Sequence, residues 1–318
     1  MTITLLMCIF SCSFIFIICI YAFVWQCQAY GPDPKTANNL SLMHSSLKAQ
    51  NSNIKKDEPI VLLHGLLGSS RNFRTIEKLL HDKLEGLYDI ICVDARNHGQ
   101  SAFLGPFVAN YELMSNDIIN TLNNLNVDKF HLVGHSMGGK IASMTALNHP
   151  DRVKSLCVLD MAPIEYSEQE FKYVSTIITK IYSIQNALLT TDNKKEVISL
   201  LKLDDDPVMQ SFLESNLIVK DSGSGRFCEW RFQIEGIYQS LQNFREFPVK
   251  NTVSSYPNPT LFLKGGNSDY VRMRHIEDIQ ALFDNYHIHT IREAGHWLHF
   301  EKPSETVEFV SRLIKSTY

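Results

Sequence analysis

The sequence lacks the patterns that identify nucleic-acid-binding, metal-binding and repeat proteins. Its 30 basic and 34 acidic residues leave a net charge of only −4 without a basic stripe, which argues against a nucleic-acid partner. The 7 cysteines show no C-x-x-C or other metal-ligand spacing, and the 15 glycines include no phosphate-binding loop. No internal repeat or low-complexity tract is present. Cys92, Cys157 and Cys228 are therefore expected to be small core residues in a reducing compartment.

Charged side chains are also missing from the first 30 residues, which are mostly apolar. A membrane-spanning helix needs ~20 apolar residues, and residues 3–26 meet that requirement. A cleaved signal peptide is the alternative, although no Lys or Arg precedes the run and the run is long for such a peptide. We expect a single N-terminal membrane anchor, with the secretory pathway or the mitochondrion as alternative locations. A linker over residues 31–57 is expected to follow, with edge strands near residues 40–48.

Beyond the linker, short apolar runs alternate with segments of helical periodicity. Strands that alternate with helices through short loops indicate a mostly parallel sheet covered by helices on both faces. The alternation stops over about residues 161–251, where isoleucines recur at helical spacing, and this predicts a helical cap inserted after the sixth strand. We therefore expect one α/β domain over residues 58–317. Its predicted strands cover residues 59–63, 88–93, 129–133, 153–159, 259–263 and 286–291.

The octapeptide VGHSMGGK, at residues 133–140, carries the first chemical signal. Gly134, Ser136 and Gly138 fit the pattern G-x-S-x-G between a predicted strand and a predicted helix. Glycines on either side allow a sharp strand-to-helix corner that holds the serine hydroxyl clear of the sheet. The free N–H groups and the dipole of the following helix favour a developing negative charge there. A turn with a chance serine is the alternative, but the flanking elements favour Ser136 as a nucleophile.

A serine nucleophile needs a base within hydrogen-bonding reach, and the base needs an orienting acid. In a parallel sheet the functional side chains gather at the carboxyl ends of the strands. His296 follows the last predicted strand, beside a glycine that lets the loop bend, and is the predicted base. His299 in the same segment is the alternative, whereas His135 is predicted to be a packing residue.

The acid has three candidates. Asp160 ends the strand after the nucleophile's helix, Asp269 lies in the loop after residues 259–263, and Glu235 lies in the predicted cap. We favour Asp160, because its apolar neighbours suit a buried carboxylate that reaches the imidazole from an adjacent strand end. The other two candidates stay open on the residues alone.

An oxyanion hole needs two backbone N–H donors. The predicted donors are Met137, directly after the nucleophile, and Leu66 in the segment HGLLGS. The segment DARNHGQS, at residues 94–101, is predicted to be a structural turn beneath the site. A serine mechanism of this kind needs neither a metal nor a cofactor, so none is expected.

Several motifs, taken in their order and spacing, resemble those of the α/β-hydrolase superfamily. The resemblance covers about residues 58–317 and is similar in detail to the group of α/β-hydrolase domain-containing protein eleven and its bacterial esterase relatives. It implies the α/β-hydrolase fold and the hydrolysis of acyl esters, with diacylglycerol lipase activity assigned to animal members. The motifs are HGLLGS at 64–69, VDARNHGQS at 93–101, GHSMGGK at 134–140, LDMAP at 159–163, LKGGNS at 263–268 and AGHW at 294–297.

The resemblance also bears on the acid and on the location. The group has a serine where the usual acid would lie, here Ser268, and an aspartate in the position of Asp160. This favours Asp160 over Asp269. Animal members are typically mitochondrial, yet this N-terminus has no arginine-rich amphipathic segment.

We therefore expect a serine hydrolase that cleaves carboxylic esters, such as lipid acyl esters of the diacylglycerol type, through an acyl-enzyme intermediate. Its expected partners are a small lipid or ester substrate and, through the N-terminal anchor, a membrane. The alternatives are a non-catalytic binding protein on the same fold and a hydrolase of thioesters or C–C bonds. Aromatic residues of the cap are expected either to line an apolar acyl pocket or to pack the cap onto the core: Tyr173, Tyr182, Phe212, Trp230 and Phe232.

Overall fold

The computed structural model of the chain describes residues 40–50, 57–101, 109–223, 225–248 and 255–317. The predicted N-terminal anchor, residues 3–26, lies outside these residues. Among the residues that are described, no helix is both long enough and apolar enough to cross a membrane.

A seven-stranded sheet, in the order β1-β3-β2-β4-β5-β8-β9, forms the centre of the domain. Its strands pair in parallel except at one edge, where β1 runs antiparallel to β3. The central strands are short apolar runs with every residue buried, as a sheet covered on both faces requires. The strands are β1 (His44–Leu47), β2 (Ile60–Leu63), β3 (Ile90–Val93), β4 (Phe130–His135), β5 (Val153–Leu159), β8 (Thr260–Gly265) and β9 (Tyr286–Ile291).

Helices cover both faces of this sheet, as the sequence predicts. Because side chains alternate along a strand, Ile60 and Leu62 point to one face while Val61 and Leu63 point to the other. The first pair belongs to a core with α1 and α12, and the second pair belongs to a core with α2, α3 and the cap. The helices of the sheet domain are α1 (Arg74–Lys83), α2 (Tyr111–Asn124), α3 (Met137–Asn148), α10 (Ile276–Leu282), α11 (Leu298–Glu301) and α12 (Pro303–Lys315).

A cap is inserted between β5 and β8, which are neighbours in the sheet. Counted over the described residues it follows the fifth strand, whereas the sequence predicts it after the sixth. Its helices are α4 (Glu168–Ser183), α5 (Gln185–Leu188), α6 (Lys194–Leu200), α7 (Pro207–Ser215), α8 (Ile234–Gln239) and α9 (Leu241–Arg245).

The cap is not wholly helical, which corrects the prediction. It contains an antiparallel hairpin of β6 (Leu217–Asp221) and β7 (Arg226–Trp230). Each hairpin strand is partly exposed and carries charged residues, including the ion pair of Lys220 with Glu229 at 2.5 Å. Short strands with charged exposed faces give a weak apolar signal, so the sequence pattern did not separate them from the helices around them.

Candidate active site

Ser136 occupies the corner between β4 and α3. Its backbone φ is 53°, a conformation that costs energy for a residue with a side chain. The neighbouring glycines are sterically required. A Cβ on Gly134 would lie 2.1 Å from the carbonyl oxygen of Gly138, and a Cβ on Gly138 would lie 2.2 Å from the carbonyl oxygen of Leu63. The close approach of β2, β4 and α3 therefore forces the sharp turn that raises the serine hydroxyl above the sheet.

His296 lies in the loop after β9 and contacts two other predicted site residues. Its Nε2 is 3.0 Å from the Ser136 Oγ, and its Nδ1 is 2.8 Å from Oδ2 of Asp160. A neutral imidazole satisfies both contacts when Nδ1–H donates to the carboxylate and Nε2 accepts from the hydroxyl. The side chain of His296 is 20% exposed, while that of Asp160 is fully buried. Three distant segments of the chain thus meet in one hydrogen-bonded series.

Asp160 follows β5 directly, with a backbone φ of 51°. Oδ1 of its carboxylate accepts a hydrogen bond of 2.8 Å from the N–H of Gly265, on the adjacent strand β8. Oδ2 accepts from the Ser268 hydroxyl as well as from His296. A buried carboxylate is costly unless it is hydrogen-bonded, and these three donors provide that compensation.

The two competing acids lie away from His296. The side chain of Asp269 is 83% exposed and pairs with Arg272 at 2.9 Å. Glu235 lies on α8 in the cap, where it accepts a hydrogen bond of 2.7 Å from Gln239. Of the three candidates, the structure brings Asp160 to the imidazole.

His299, the alternative base, is buried against other rings. Its ring centroid lies 4.2 Å from that of His135 and 5.2 Å from that of Phe73, on which it stacks. Burial lowers the pKa of His299 to about 3, so it stays neutral. His135 is also buried, and its Nε2 is 2.9 Å from the carbonyl oxygen of His296, to which Nε2–H donates. His135, next to Ser136, therefore supports the loop that carries His296, a role beyond the packing that the sequence predicts.

A family model described as alpha/beta hydrolase fold matches residues 58–303. The chain belongs to the α/β-hydrolase family. The sn-1-specific diacylglycerol lipase ABHD11 of Mus musculus is 35% identical over 259 residues, which is 80% of each chain. Esterase YbfF of Escherichia coli is 32% identical over 275 residues, or 86% of this chain and 99% of that one.

Solved structures share the fold of this chain. A marine microorganism esterase superposes with a TM-score of 0.76 at 30% identity, over 86% of this chain and 99% of its own. A thermophilic esterase of Thermogutta terrifontis, at 19% identity and a TM-score of 0.60, shares the fold.

The predicted oxyanion donors, Leu66 and Met137, border the same pocket as Ser136. Met137 begins α3, and its N–H belongs to the first helical turn, where backbone donors are free of helical partners. Leu66 lies in the turn between β2 and the 3-10 helix Ser70–Phe73. Both positions suit the predicted role of backbone N–H groups that bind negative charge beside Ser136.

The segment at residues 94–101 braces the turn that carries Leu66, as its prediction as a structural turn implies. Nε2 of His98 accepts a hydrogen bond of 3.1 Å from the N–H of Leu67. The Asp94 carboxylate accepts from the N–H of Ser70 at 2.6 Å. Burial lowers the pKa of His98 to about 3, which keeps its accepting nitrogen unprotonated. The turn that carries Leu66 is thus held by the neutral imidazole of His98 and by the carboxylate of Asp94.

A cavity of about 650 Å³ opens above Ser136 and is lined mostly by apolar side chains. Of the five cap aromatics that the sequence singles out, Tyr173 and Phe212 line it. The other three pack within the cap, Trp230 on Phe232 with ring centroids 5.2 Å apart and Tyr182 on Tyr238 at 4.1 Å. The wall supplied by α4 and α7 also includes residues that the sequence analysis did not select: Phe171, Val174, Ile177, Val208 and Met209.

Proposed function

We propose that this protein is a serine hydrolase of carboxylic esters, and that its substrates are lipid acyl esters such as diacylglycerol. The observation that supports the chemistry is the hydrogen-bonded series of Ser136, His296 and Asp160 below an apolar cavity. A hydroxyl, an imidazole and a buried carboxylate in this order are the arrangement of serine hydrolases on several unrelated folds.

In the first half of the reaction, Oγ of Ser136 attacks the ester carbonyl carbon while Nε2 of His296 takes its proton. The Asp160 carboxylate holds the imidazole in the required tautomer and stabilises the imidazolium. The N–H groups of Leu66 and Met137 bind the oxyanion of the tetrahedral intermediate. His296 then returns the proton to the departing alcohol, and the acyl group stays on Ser136.

In the second half, a water molecule attacks the acyl-serine ester. His296 takes one proton from this water and passes it to Oγ of Ser136 as the intermediate collapses. The carboxylic acid leaves, and the free hydroxyl is restored. Each bond formed at the carbonyl carbon is matched by one broken, so the reaction needs no group beyond water.

The lipid character of the substrate rests on the cavity and on the relatives. The lining is mainly aliphatic and aromatic, which favours an acyl chain over a charged substrate. The relatives from mouse and Escherichia coli carry the names of a diacylglycerol lipase and an esterase, two activities on acyl esters. The uncharged run at residues 3–26 is proposed to hold the domain on a membrane, close to such substrates.

Two experiments test this function. A fluorophosphonate probe is expected to label the wild type and not Ser136→Ala, whereas equal labelling of both would favour a non-catalytic binding protein. A panel from short p-nitrophenyl esters to diacylglycerol, with Ser136→Ala as the blank, measures the substrate range.

The proposed membrane anchor is tested by a separate experiment. Residues 1–39 fused to a fluorescent reporter are expected to remain in the membrane fraction after a high-salt wash, and recovery of the fusion in the soluble fraction would refute the anchor.

A further inference from the structure

Lys140 is a buried lysine on the helix that carries the nucleophile. It follows Ser136 by one helical turn, borders the cavity, and is only 1% exposed. Lysine is almost never fully buried unless its charge is compensated. Burial lowers the pKa of Lys140 to about 7, although the nearby carboxylates of Glu165 and Glu246 favour the ammonium form.

Three carbonyl oxygens at the end of the cap provide this compensation. Nζ of Lys140 donates to the carbonyl oxygens of Arg245 and Glu246, each at 3.0 Å, and to that of Phe244 at 3.4 Å. It also lies 5.2 Å from the ring centroid of Tyr111. An ammonium group has three protons, and the three carbonyl groups use all of them. No donor is left for a substrate, so Lys140 acts on the cap and not on a ligand.

The entrance of the cap joins the same cluster. The ring of Tyr166, which precedes α4, lies 4.8 Å from Nζ of Lys140. The N–H of Tyr166 donates to the carbonyl oxygen of Arg245 at 3.1 Å, and the Arg245 guanidinium pairs with Glu165 at 3.2 Å. The segment that enters α4 and the segment that ends α9 therefore meet at one lysine of α3, and we call this cluster the Lys140 clasp (Lys140 with Tyr166 and residues 244–246).

The clasp residues that line the cavity are buried, whereas other lining residues are open to solvent. Lys140, Tyr166 and Phe244 line the cavity and are nearly inaccessible to solvent. Tyr173 and Phe300 line it too, but they are 48% and 77% exposed. A long acyl chain would contact the cap walls from α4 and α7, whereas an acetyl or butyryl group would lie beside Ser136 alone.

We propose that Lys140 is a positioning residue that fixes the cap over the nucleophile and thereby sets the preference for long acyl chains. This inference rests on the proposed ester hydrolase activity. The clasp acts through the placement of cap side chains, so its loss alters the binding of chains that reach the cap more than the chemistry at the ester bond.

The test compares p-nitrophenyl butyrate with p-nitrophenyl decanoate on the wild type and on Lys140→Met, which keeps most of the unbranched side chain and removes the donors. The ratio of kcat/KM for the decanoate to that for the butyrate is expected to fall about tenfold, at the low end of the change that lost contacts in a hydrophobic pocket produce. Most of the fall is expected in the KM of the decanoate, with kcat changed less. A loss that was equal for both esters would indicate a general structural role and would refute the proposal.

Lys180→Met is the matched control, because Lys180 in α4 also donates to a backbone carbonyl, that of Lys202 at 3.0 Å, but lies away from the clasp. Its ratio is expected to match that of the wild type. If fluorophosphonate does not label Lys140→Met, that variant lacks a working active site and a milder variant, Tyr111→Phe, is measured instead. It removes the 3.1 Å hydrogen bond from the Tyr111 hydroxyl to the Phe244 carbonyl oxygen, which belongs to the clasp. A few-fold fall in the ratio supports the clasp, and an unchanged ratio refutes it. Absence of wild-type hydrolysis of every ester would instead refute the proposed function.

Discussion

Replacement of Asp160 by Asn tests the acid assignment most directly. Three donors converge on this buried carboxylate: the N–H of Gly265, the hydroxyl of Ser268 and Nδ1–H of His296. Asparagine keeps the shape but has one accepting oxygen and an NH2 group in place of the second oxygen. The N–H of Gly265 is fixed by β8, so the amide oxygen is expected to face it and the NH2 group to face His296.

That orientation reverses the imidazole. Nδ1 of His296 must then accept the amide hydrogen, which places the ring proton on Nε2, opposite the hydroxyl of Ser136. The base can no longer take the serine proton. The same substitution in serine-protease triads lowers kcat by about 10⁴, and at about 1.4 kcal/mol per factor of ten this corresponds to about 5.5 kcal/mol of transition-state stabilisation.

The assay is steady-state hydrolysis of a short p-nitrophenyl ester by the wild type, Asp160→Asn and Asp269→Asn. Asp269 is the matched control, since its side chain is 83% exposed and pairs with Arg272. Its variant is expected to retain the kcat of the wild type, while Asp160→Asn retains folding, judged by its thermal unfolding, and loses turnover. Turnover of Asp160→Asn close to that of the wild type, or a selective loss in Asp269→Asn, would show that the acid has been misassigned.

Three further predictions concern the elbow, the pH dependence and the core. Gly138→Ala is expected to yield little soluble protein, because the new Cβ would overlap the Leu63 carbonyl oxygen at 2.2 Å; normal expression and activity would contradict the steric argument. Burial lowers the pKa of His299 to about 3. Below pH 6.5 the unfolded chain therefore binds a proton on His299 while the folded protein does not, so the free energy of unfolding falls as the pH falls from 6.5 towards 3. At pH 5 this difference lowers the free energy of unfolding by about 2 kcal/mol. Thermal melts of His299→Phe are therefore expected to show a smaller loss of stability between pH 7 and pH 5 than melts of the wild type, and equal losses would contradict this prediction. Phe262→Ala removes a fully buried ring from β8 and is expected to lower the free energy of unfolding in urea by about 3–5 kcal/mol, whereas a loss below about 1 kcal/mol would contradict its central place in the core.

The sheet could be predicted from the sequence because its strands carry strong local signals. Runs such as residues 59–63 and 259–263 are mostly apolar and are followed by His64-Gly65 and by Lys264, and they became β2 and β8. The elbow was equally readable, since the pattern G-x-S-x-G between an apolar run and a helical segment is a local signal, although the steric need for Gly138 comes from the Leu63 carbonyl oxygen on β2. The series of Ser136, Asp160 and His296 followed from strand-end logic and from the resemblance, and the catalytic roles of these residues stay predictions.

What the sequence could not reveal depends on contacts between distant segments. Lys140 is a lysine on a helix, which by composition alone suggests a solvated side chain, and its burial arises from carbonyl groups more than 100 positions further along the chain. The bidentate pair of Arg96 and Asp117, at 2.6 and 2.7 Å, was hidden for the same reason. The cap hairpin was missed because its strands are short and carry charge on their exposed faces.

The cap leaves the sheet after β5 and returns at β8, and these strands lie side by side. Because the two ends of the cap are neighbours, the cap can change in length or composition during evolution. The strand order, the turn at Ser136 and the loop that carries His296 need not change with it. The same topology suits the exchange of caps by protein engineering, in which another sequence replaces residues 167–243 and the residues on either side of that range are retained. The cap side of the cavity wall and the Ser136–His296–Asp160 series are thus contributed by separate stretches of the chain.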